Sequence, residues 1–459
     1  MRPIYRRRLF RCLCLVGVGY LLALFSPSWL KPSIFRAMSP SSQRSVLTLN
    51  GTTLEGGGGL VRYAIIYSSI FNRPIHIHSI RATRPGVGGL RPEHTVAIAI
   101  ISDLTSARVT GNLPASRDMT FTPHVSHDAP STLPSHKVDV PVEGSASIFL
   151  IAMLPYILFS QLASKTYHFR PQFDEKREIE LVIRAGTLCV KAPSIFYMRQ
   201  VFAPTLKLIG IGKEHFSLGP EHEQGWHTDN NKYPGKMVAH VKPLTEPLPS
   251  FILDRRGLVR SIQVTAHVPK HTLELFKATL QLEMANAILS DSGLELIVDV
   301  LESVPDDQYH LLMVATTAEP KAYLGYEQVY PQRDVFPREI EGKDEEIAIH
   351  LIRSCIYGLW AELRRGHAVD EHMEDFLALY QSLSTGFSAV TVKGNERPVP
   401  ELSMESPALK YGNMYEIDTG SMHRETSWWI VEQFTGLRPE TKSLNGRDHV
   451  GCAGIGLGQ

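Results

Sequence analysis

The chain has 459 residues, enough for two domains or one large one, with 43% hydrophobic and 20% charged residues, an ordinary globular balance. Its 47 basic and 47 acidic residues cancel, so no global field draws it to nucleic acid, and any such binding must rest on local arginines. Five scattered cysteines (Cys12, Cys14, Cys189, Cys355, Cys452) lack metal-site spacing, and their odd count argues for reduced thiols over a disulfide framework.

Residues 1–46 read as a leader. Arg6, Arg7 and Arg8 precede an apolar run over 12–25, shorter than the ~20 residues that cross a bilayer comfortably. This is the grammar of a signal peptide or signal anchor, with a membrane as partner. The lack of acidic residues before Glu55, with Arg and Ser present, also fits a mitochondrial presequence. A third reading places the true start at Met38, with a short polar leader into the first strand.

A short apolar strand (Val46, Leu47, Leu49) then runs into a turn at Asn50 and Gly51. Glu55 follows, then Gly56, Gly57, Gly58 and Gly59, and a helix opens with Leu60, Val61 and Arg62. A glycine run before a helix leaves backbone N–H groups free and lets a ligand approach the main chain. The helix dipole favours an anion there. Arg62, Arg81 and Arg84 are fork-shaped donors suited to phosphate. Asn50-Gly51-Thr52 is a glycosylation sequon, but a glycan at the mouth of this loop would obstruct it, which argues against secretion.

Beyond His94, residues 95–105 have helical apolar spacing, and residues 114–140 read as loop with short strand pieces. Residues 146–160 form a buried helix that Pro155 should kink or break. Ile179, Leu181 and Ile183 alternate as a strand. His222, His227 and Asp229 match no metal motif and read as a solvated loop. A smaller β-α-β-β unit spans 249–330, with a helix over 271–290 whose stripe includes Leu273, Phe276, Leu280 and Met284. Residues 340–383 are largely helical.

Several of these segments together resemble the RNA 3′-terminal phosphate cyclase family. That family carries EGGGQ-x-x-R, then IRAGR-x-x-PGL-x-x-QH. The matches here are Glu55-Gly56-Gly57-Gly58, Arg62, Ile80-Arg81-Ala82, Arg84, Gly89-Leu90 and His94. Further on they are the strand at Met119 to Pro123, Pro155 with Phe159, Gly186-Thr187, Ala192-Pro193, Tyr197, Val201-Phe202 and Pro204. Asp375 and then His423, which opens HRETSWWIVEQF with Thr426 in place, complete the order. Gly59, Glu93, Phe196 and Phe376 depart from the pattern, and of the signature RG-x-x-P-x-GGG only Pro234-Gly235 survive. The resemblance covers 46–456.

The resemblance implies an α/β (α+β) fold: three βαβαββ-like repeats, similar to the carboxy-terminal domain of bacterial initiation factor three, with an inserted domain. Residues 47–248 would be the first part of the core, 249–330 the insert, and 331–459 the final part. It implies a cyclase that uses ATP and a divalent metal, Mg²⁺ or Mn²⁺, to convert an RNA 3′-phosphate to a 2′,3′-cyclic phosphate through a histidine–AMP intermediate. His423 would be the nucleophile, with Glu55 orienting its ring or binding the metal. Arg62, Arg81, Arg84 and His94 would bind phosphate. Asp375 would take the ribose, since a carboxylate accepts both hydroxyls of a cis-diol. His372, Pro155 and Phe159 would flank adenine, and Gly56, Gly57 and Gly58 would cradle phosphates. The rival reading is a non-catalytic branch that binds pre-ribosomal RNA and ribosome-biogenesis proteins. Either function places the protein in the nucleus, unless residues 1–46 direct it to mitochondria or a membrane.

Overall fold

The computed structural model describes residues 45–84, 86–125, 137–171, 177–228, 232–288, 293–332, 335–394 and 422–459. The leader through residue 44, including the apolar run 12–25 and Met38, lies outside the described residues, as does Asp229. Strand β1 (Leu47–Asn50) pairs in parallel with β2 (Ile75–His78), and helix α1 (Gly58–Phe71) crosses between them. The helix starts at Gly58, so the last two glycines of the run form its first turn. Helix α2 (Pro92–Leu104), β3 (Arg108–Thr110) and β4 (Met119–Thr122) complete a sheet of order β1-β2-β4-β3.

The next stretch has a similar order of longer elements, with three two-residue strands (188–189, 226–227 and 232–233) forming a separate small sheet. Strand β5 (Lys137–Ser145), helix α3 (Ala146–Tyr167), β6 (Ile179–Gly186), a helical segment with a π turn at Met198–Phe202, β7 (Phe216–Glu223) and β8 (Gly235–Val241) give the order β5-β6-β8-β7. Ser145 caps α3 by accepting from the Ile148 N–H at 3.3 Å. The helix runs unbroken through Pro155. It is long and apolar enough to cross a membrane, but it is 94% buried. An all-apolar helix enclosed in this way is a core helix.

Strand β9 (Val259–Val268), helix α4 (Leu273–Ala287), β10 (Glu295–Glu302), β11 (Tyr309–Thr317) and β12 (Tyr323–Tyr330) form a sheet of order β10-β9-β11-β12. The β-α-β-β pattern was legible; β12 was not, because its Glu327 and Gln328 blur the alternation. Strand β11 is buried on both faces. Leu312 and Val314 face the main core, whereas Leu311, Met313 and Ala315 join a second core under α4 and α5 (Asp344–Arg364). Side chains alternate across a strand, so one strand serves two cores. Residues beyond 330 therefore complete this second core.

Helix α6 (Glu371–Leu383) is capped by Asp370, which accepts from the Met373 N–H at 3.0 Å. Strand β13 (Thr385–Val392), helix α7 (Met422–Thr435), β14 (Glu440–Leu444) and β15 (Arg447–Ile455) follow, in the order β13-β15-β14. The described residues thus form a mixed α/β fold. Cys189, Cys355 and Cys452 are free and buried, as the cysteine pattern suggested.

Gly358 in α5 lies flat against the Tyr326 ring, and an added Cβ would fall inside van der Waals contact with it. Gly358→Ala should cost about 1–3 kcal/mol through overpacking. The measurement is the urea midpoint. An unchanged midpoint would mean that the ring moves without penalty.

Candidate active site at the start of two helices

The glycine run and Glu55 are explained together. Gly56 takes φ +56°, which turns the chain, and Gly57 caps α1 with no side-chain hydrogen bond. No described residue engages the amides of Gly57, Gly58 and Gly59. The side-chain space is already taken. A Cβ on Gly57 would collide with Glu55 Oε1, and one on Gly59 would lie 2.9 Å from Glu55 Oε2. A Cβ on Gly58 would strike Nε2 of His94. The glycines let a carboxylate and an imidazole close over a helix N-terminus whose amides remain open to an anion.

Helix α7 meets this loop through one face. His423 and Thr426 are three residues apart and so lie side by side. His423 Nδ1 lies 3.0 Å from Glu55 Oε2, while Thr426 Oγ1 accepts the Glu55 backbone N–H at 3.2 Å. Arg84 donates to Glu55 Oε1 at 3.0 Å. The Glu55 side chain is 9% exposed and that of His423 is 58% exposed, so the imidazole is reachable while its partner is held. Burial pushes the Glu55 carboxyl up, but contact with His423 and the charges of His423, Arg62 and Arg84 outweigh it, and the net shift is downward. Contact with Glu55 raises the His423 pKa above its ordinary 6.5, against burial and with help from Asp375.

The second histidine is tuned the other way. His94 is buried in the first turn of α2, where its Nδ1 accepts the Arg91 N–H at 3.1 Å. That leaves the proton on Nε2, facing Gly58. Burial first, then the charges of Arg62, Arg81 and Arg91, lowers its pKa to about 3. His94 is therefore a neutral donor across the working pH range. Arg81 is 8% exposed, its backbone φ is +51°, and its guanidinium pairs with no other described residue. An arginine held this way is ready for an anion. Arg62 feels the charges of Glu55 and Glu93.

The remaining expected residues are placed less directly. Asp375 is buried on α6, where its charge reaches both His423 and the Tyr63 hydroxyl. His372 is exposed at the start of α6, edge-on to Tyr197 at 6.0 Å. Pro155 and Phe159 are buried within α3, with Phe159 packed on Tyr380 at 6.1 Å. The departures also have neighbours. Glu93 lies 3.7 Å from Arg91 and packs near Gly144. Phe196 packs among His222, His267 and His310, and Phe376 is edge-on to Phe202. His222 bonds to Arg199, and no cluster of three or more His, Cys, Asp or Glu suited to a metal occurs among the described residues.

A magnesium-type ion does not need such a cluster, since it takes one or two carboxylates and fills its shell with phosphates and water. Glu55 Oε2 is buried and faces His423 Nδ1 at 3.0 Å, so a metal bound there would share this oxygen with the imidazole. Sequence reasoning missed Tyr63 and the buried Glu374. Glu374 holds Arg424 at 2.8 Å and His367 and Arg365 at 2.6 Å each. No short-range pattern announces this network, because its members come from three segments.

The tuning gives a pH prediction. Any reaction that uses neutral His423 should accelerate as pH rises through its elevated pKa, and then level off. Glu55→Gln removes the cause, so the inflection should move to lower pH. A pH–rate profile checks this, and an inflection that stays in place would separate Glu55 from the titration of His423. Gly58→Ala should weaken binding of a triphosphate about tenfold or more, because the methyl displaces His94 and crowds the amides. Isothermal titration with ATP reads it.

The profile of the family described as RNA 3′-terminal phosphate cyclase matches residues 53–441. The RNA 3′-terminal phosphate cyclase of Desulfurococcus amylolyticus is 29% identical over 357 residues, covering 76% of this chain and 87% of that protein. Its counterpart from Korarchaeum cryptofilum is 26% identical over 402 residues, covering 85% and 93%. That of Drosophila melanogaster is 25% identical over 424 residues, covering 90% and 97%. The matched span opens just before Glu55 and closes just after α7, so it includes both partners of the central ion pair, and the chain belongs to the RNA 3′-terminal phosphate cyclase family.

Proposed function

We propose that the protein converts an RNA 3′-phosphate to a 2′,3′-cyclic phosphate at the expense of ATP. The observation that carries this reading is the reachable imidazole of His423 held against buried Glu55 beside an open helix N-terminus. Because Nδ1 faces Glu55, Nε2 is the free nitrogen. Neutral Nε2 attacks the α-phosphorus of ATP; an N–P bond forms and the bond to pyrophosphate breaks. Glu55 keeps the remaining proton on Nδ1 and offsets the positive charge that develops on the ring. The amides of Gly57, Gly58 and Gly59, with Nε2–H of His94 and Arg62, Arg81 and Arg84, take the phosphate charge. Asp375 takes the ribose, with His372 on the adenine side. A divalent ion at Glu55 Oε2 would neutralise part of the triphosphate charge.

An oxygen of the RNA 3′-phosphate then attacks the bound AMP phosphorus. The P–N bond breaks, His423 is restored, and the RNA ends in a diphosphate-linked adenosine. The vicinal 2′-OH attacks the 3′-phosphorus, loses its proton, closes the ring and expels AMP. Both groups share one ribose, so proximity lowers this last barrier.

His423→Ala should remove the labelled enzyme–AMP adduct formed from α-labelled ATP, a loss of roughly a thousandfold or more in rate. Labelling that survives the change would exclude His423 as nucleophile. If the folded wild type shows neither adduct nor cyclisation, the non-catalytic RNA-binding reading takes over. Glu93 places a carboxylate near Arg62 and Arg81, so it opposes an incoming phosphate. Glu93→Gln should raise cyclisation, by about threefold. A fall would instead give Glu93 a positive role in the site.

A further inference from the structure

A second cavity lies beside the nucleophile. Its volume is about 570 Å³, within the ~300–1,000 Å³ of small-molecule sites. Arg424, Glu425, Trp428 and Trp429 of α7 line one wall, Gln381 of α6 another, and Arg438 the rim. The same two helices serve both sites. Helix α7 turns His423 to the glycine loop and Arg424 to the cavity; α6 carries Asp375 on one side and Glu374 on the other. His423 and Trp428 are five residues apart, about 7.5 Å along the helix axis and about 140° around it, so a strand held on Trp428 reaches His423 by passing round the start of the helix.

The chemistry of the wall selects the ligand. Both arginines are already paired, Arg424 with Glu374 at 2.8 Å and Arg438 with Glu432 at 2.6 Å. Among the described lining residues, two arginines stand against Glu374, Glu425 and Glu432, so no cation is spare for a phosphate. The cavity offers two half-buried indoles. It also offers Gln381, which is 1% exposed and whose Oε1 has no hydrogen-bond partner among the described residues. Flat aromatic surface with an amide donor and acceptor and no net positive charge suits a nucleobase. Resting on the cyclase reading above, we propose that this cavity binds a base of the substrate RNA near its 3′ end, stacked on Trp428 and Trp429, while the terminal phosphate reaches His423. Base stacking on an aromatic side chain tolerates any sequence, and Gln381 would add a preference among bases.

The test uses the full-length protein and a short RNA bearing a 3′-phosphate, with a matched set carrying one abasic residue at each of the last three positions. Trp428→Leu should raise the KM for RNA about tenfold and leave RNA-independent adenylation of His423 unchanged. One abasic position should raise the wild-type KM by a similar factor and add nothing in the variant. Trp428→Phe, which preserves packing, should fall between the two. Indole fluorescence should be quenched by the RNA in the wild type and less so in Trp428→Leu. An unchanged KM with unchanged quenching would overturn the proposal, and so would a loss explained by slower adenylation. If His423 never takes AMP, the cyclase reading fails separately. The fluorescence titration then decides alone: quenching lost in the variants supports a base site, and no quenching by RNA refutes it.

Discussion

The ion pair between Glu55 and His423 is the contact on which the site depends. It joins residues from opposite ends of the chain, and Thr426 reinforces it by accepting the Glu55 N–H across 371 positions of sequence. The pair is asymmetric. A buried carboxylate is costly unless charges and donors surround it, and here Arg84, Arg62 and His423 do so. The exposed imidazole stays available to a ligand. The pair's contribution to stability has a defined window. The His423 share is fully present below 6.5 and fades as pH rises through the raised pKa. The Glu55 share is present above 4.5 and fades as pH falls through the lowered one.

The glycines follow from the same contact. They are needed less for turning the chain, which only Gly56 does, than for leaving room. Glu55 and His94 fill the space that side chains at 57, 58 and 59 would occupy. That filling brings Glu55 and His94 against the first turn of the helix. The family's glutamine after the third glycine is absent, and a Cβ added at Gly59 would lie 2.9 Å from Glu55 Oε2 and 3.8 Å from Arg62 and from His423 Nδ1. A bare glycine there leaves the ion pair less crowded, so the departure is compatible with the rest of the geometry.

Local chemistry was legible in the sequence, and long-range chemistry was not. Glycines before a helix, the apolar stripe of α4 and the all-apolar α3 are written in spacings of a few residues, and they led to the correct elements. The start of α1 was misjudged by two residues because glycine carries no propensity signal for a first helical turn. The pairing of Glu55 with His423 emerged only through the order of family motifs, since no periodicity links two segments so far apart. The buried Glu374 network shows the same limit. Spacing along α6 does not tell a solvated carboxylate from an enclosed one. In the fold, Asp370 is a buried cap and Glu374 is enclosed by Arg365, His367 and Arg424.

The two histidines of the site show how one fold obtains opposite behaviour from one side chain. His94 and His423 both sit in the first turn of a helix, where the dipole disfavours a proton on either. Burial, and then the charges of nearby arginines, lowers the His94 pKa to about 3. Buried Glu55 reverses the tendency at His423, making it basic enough to carry a developing positive charge. Position on a helix is thus the same for both; what separates their pKa shifts is the direct contact of His423 with Glu55, against the burial of His94 among arginines.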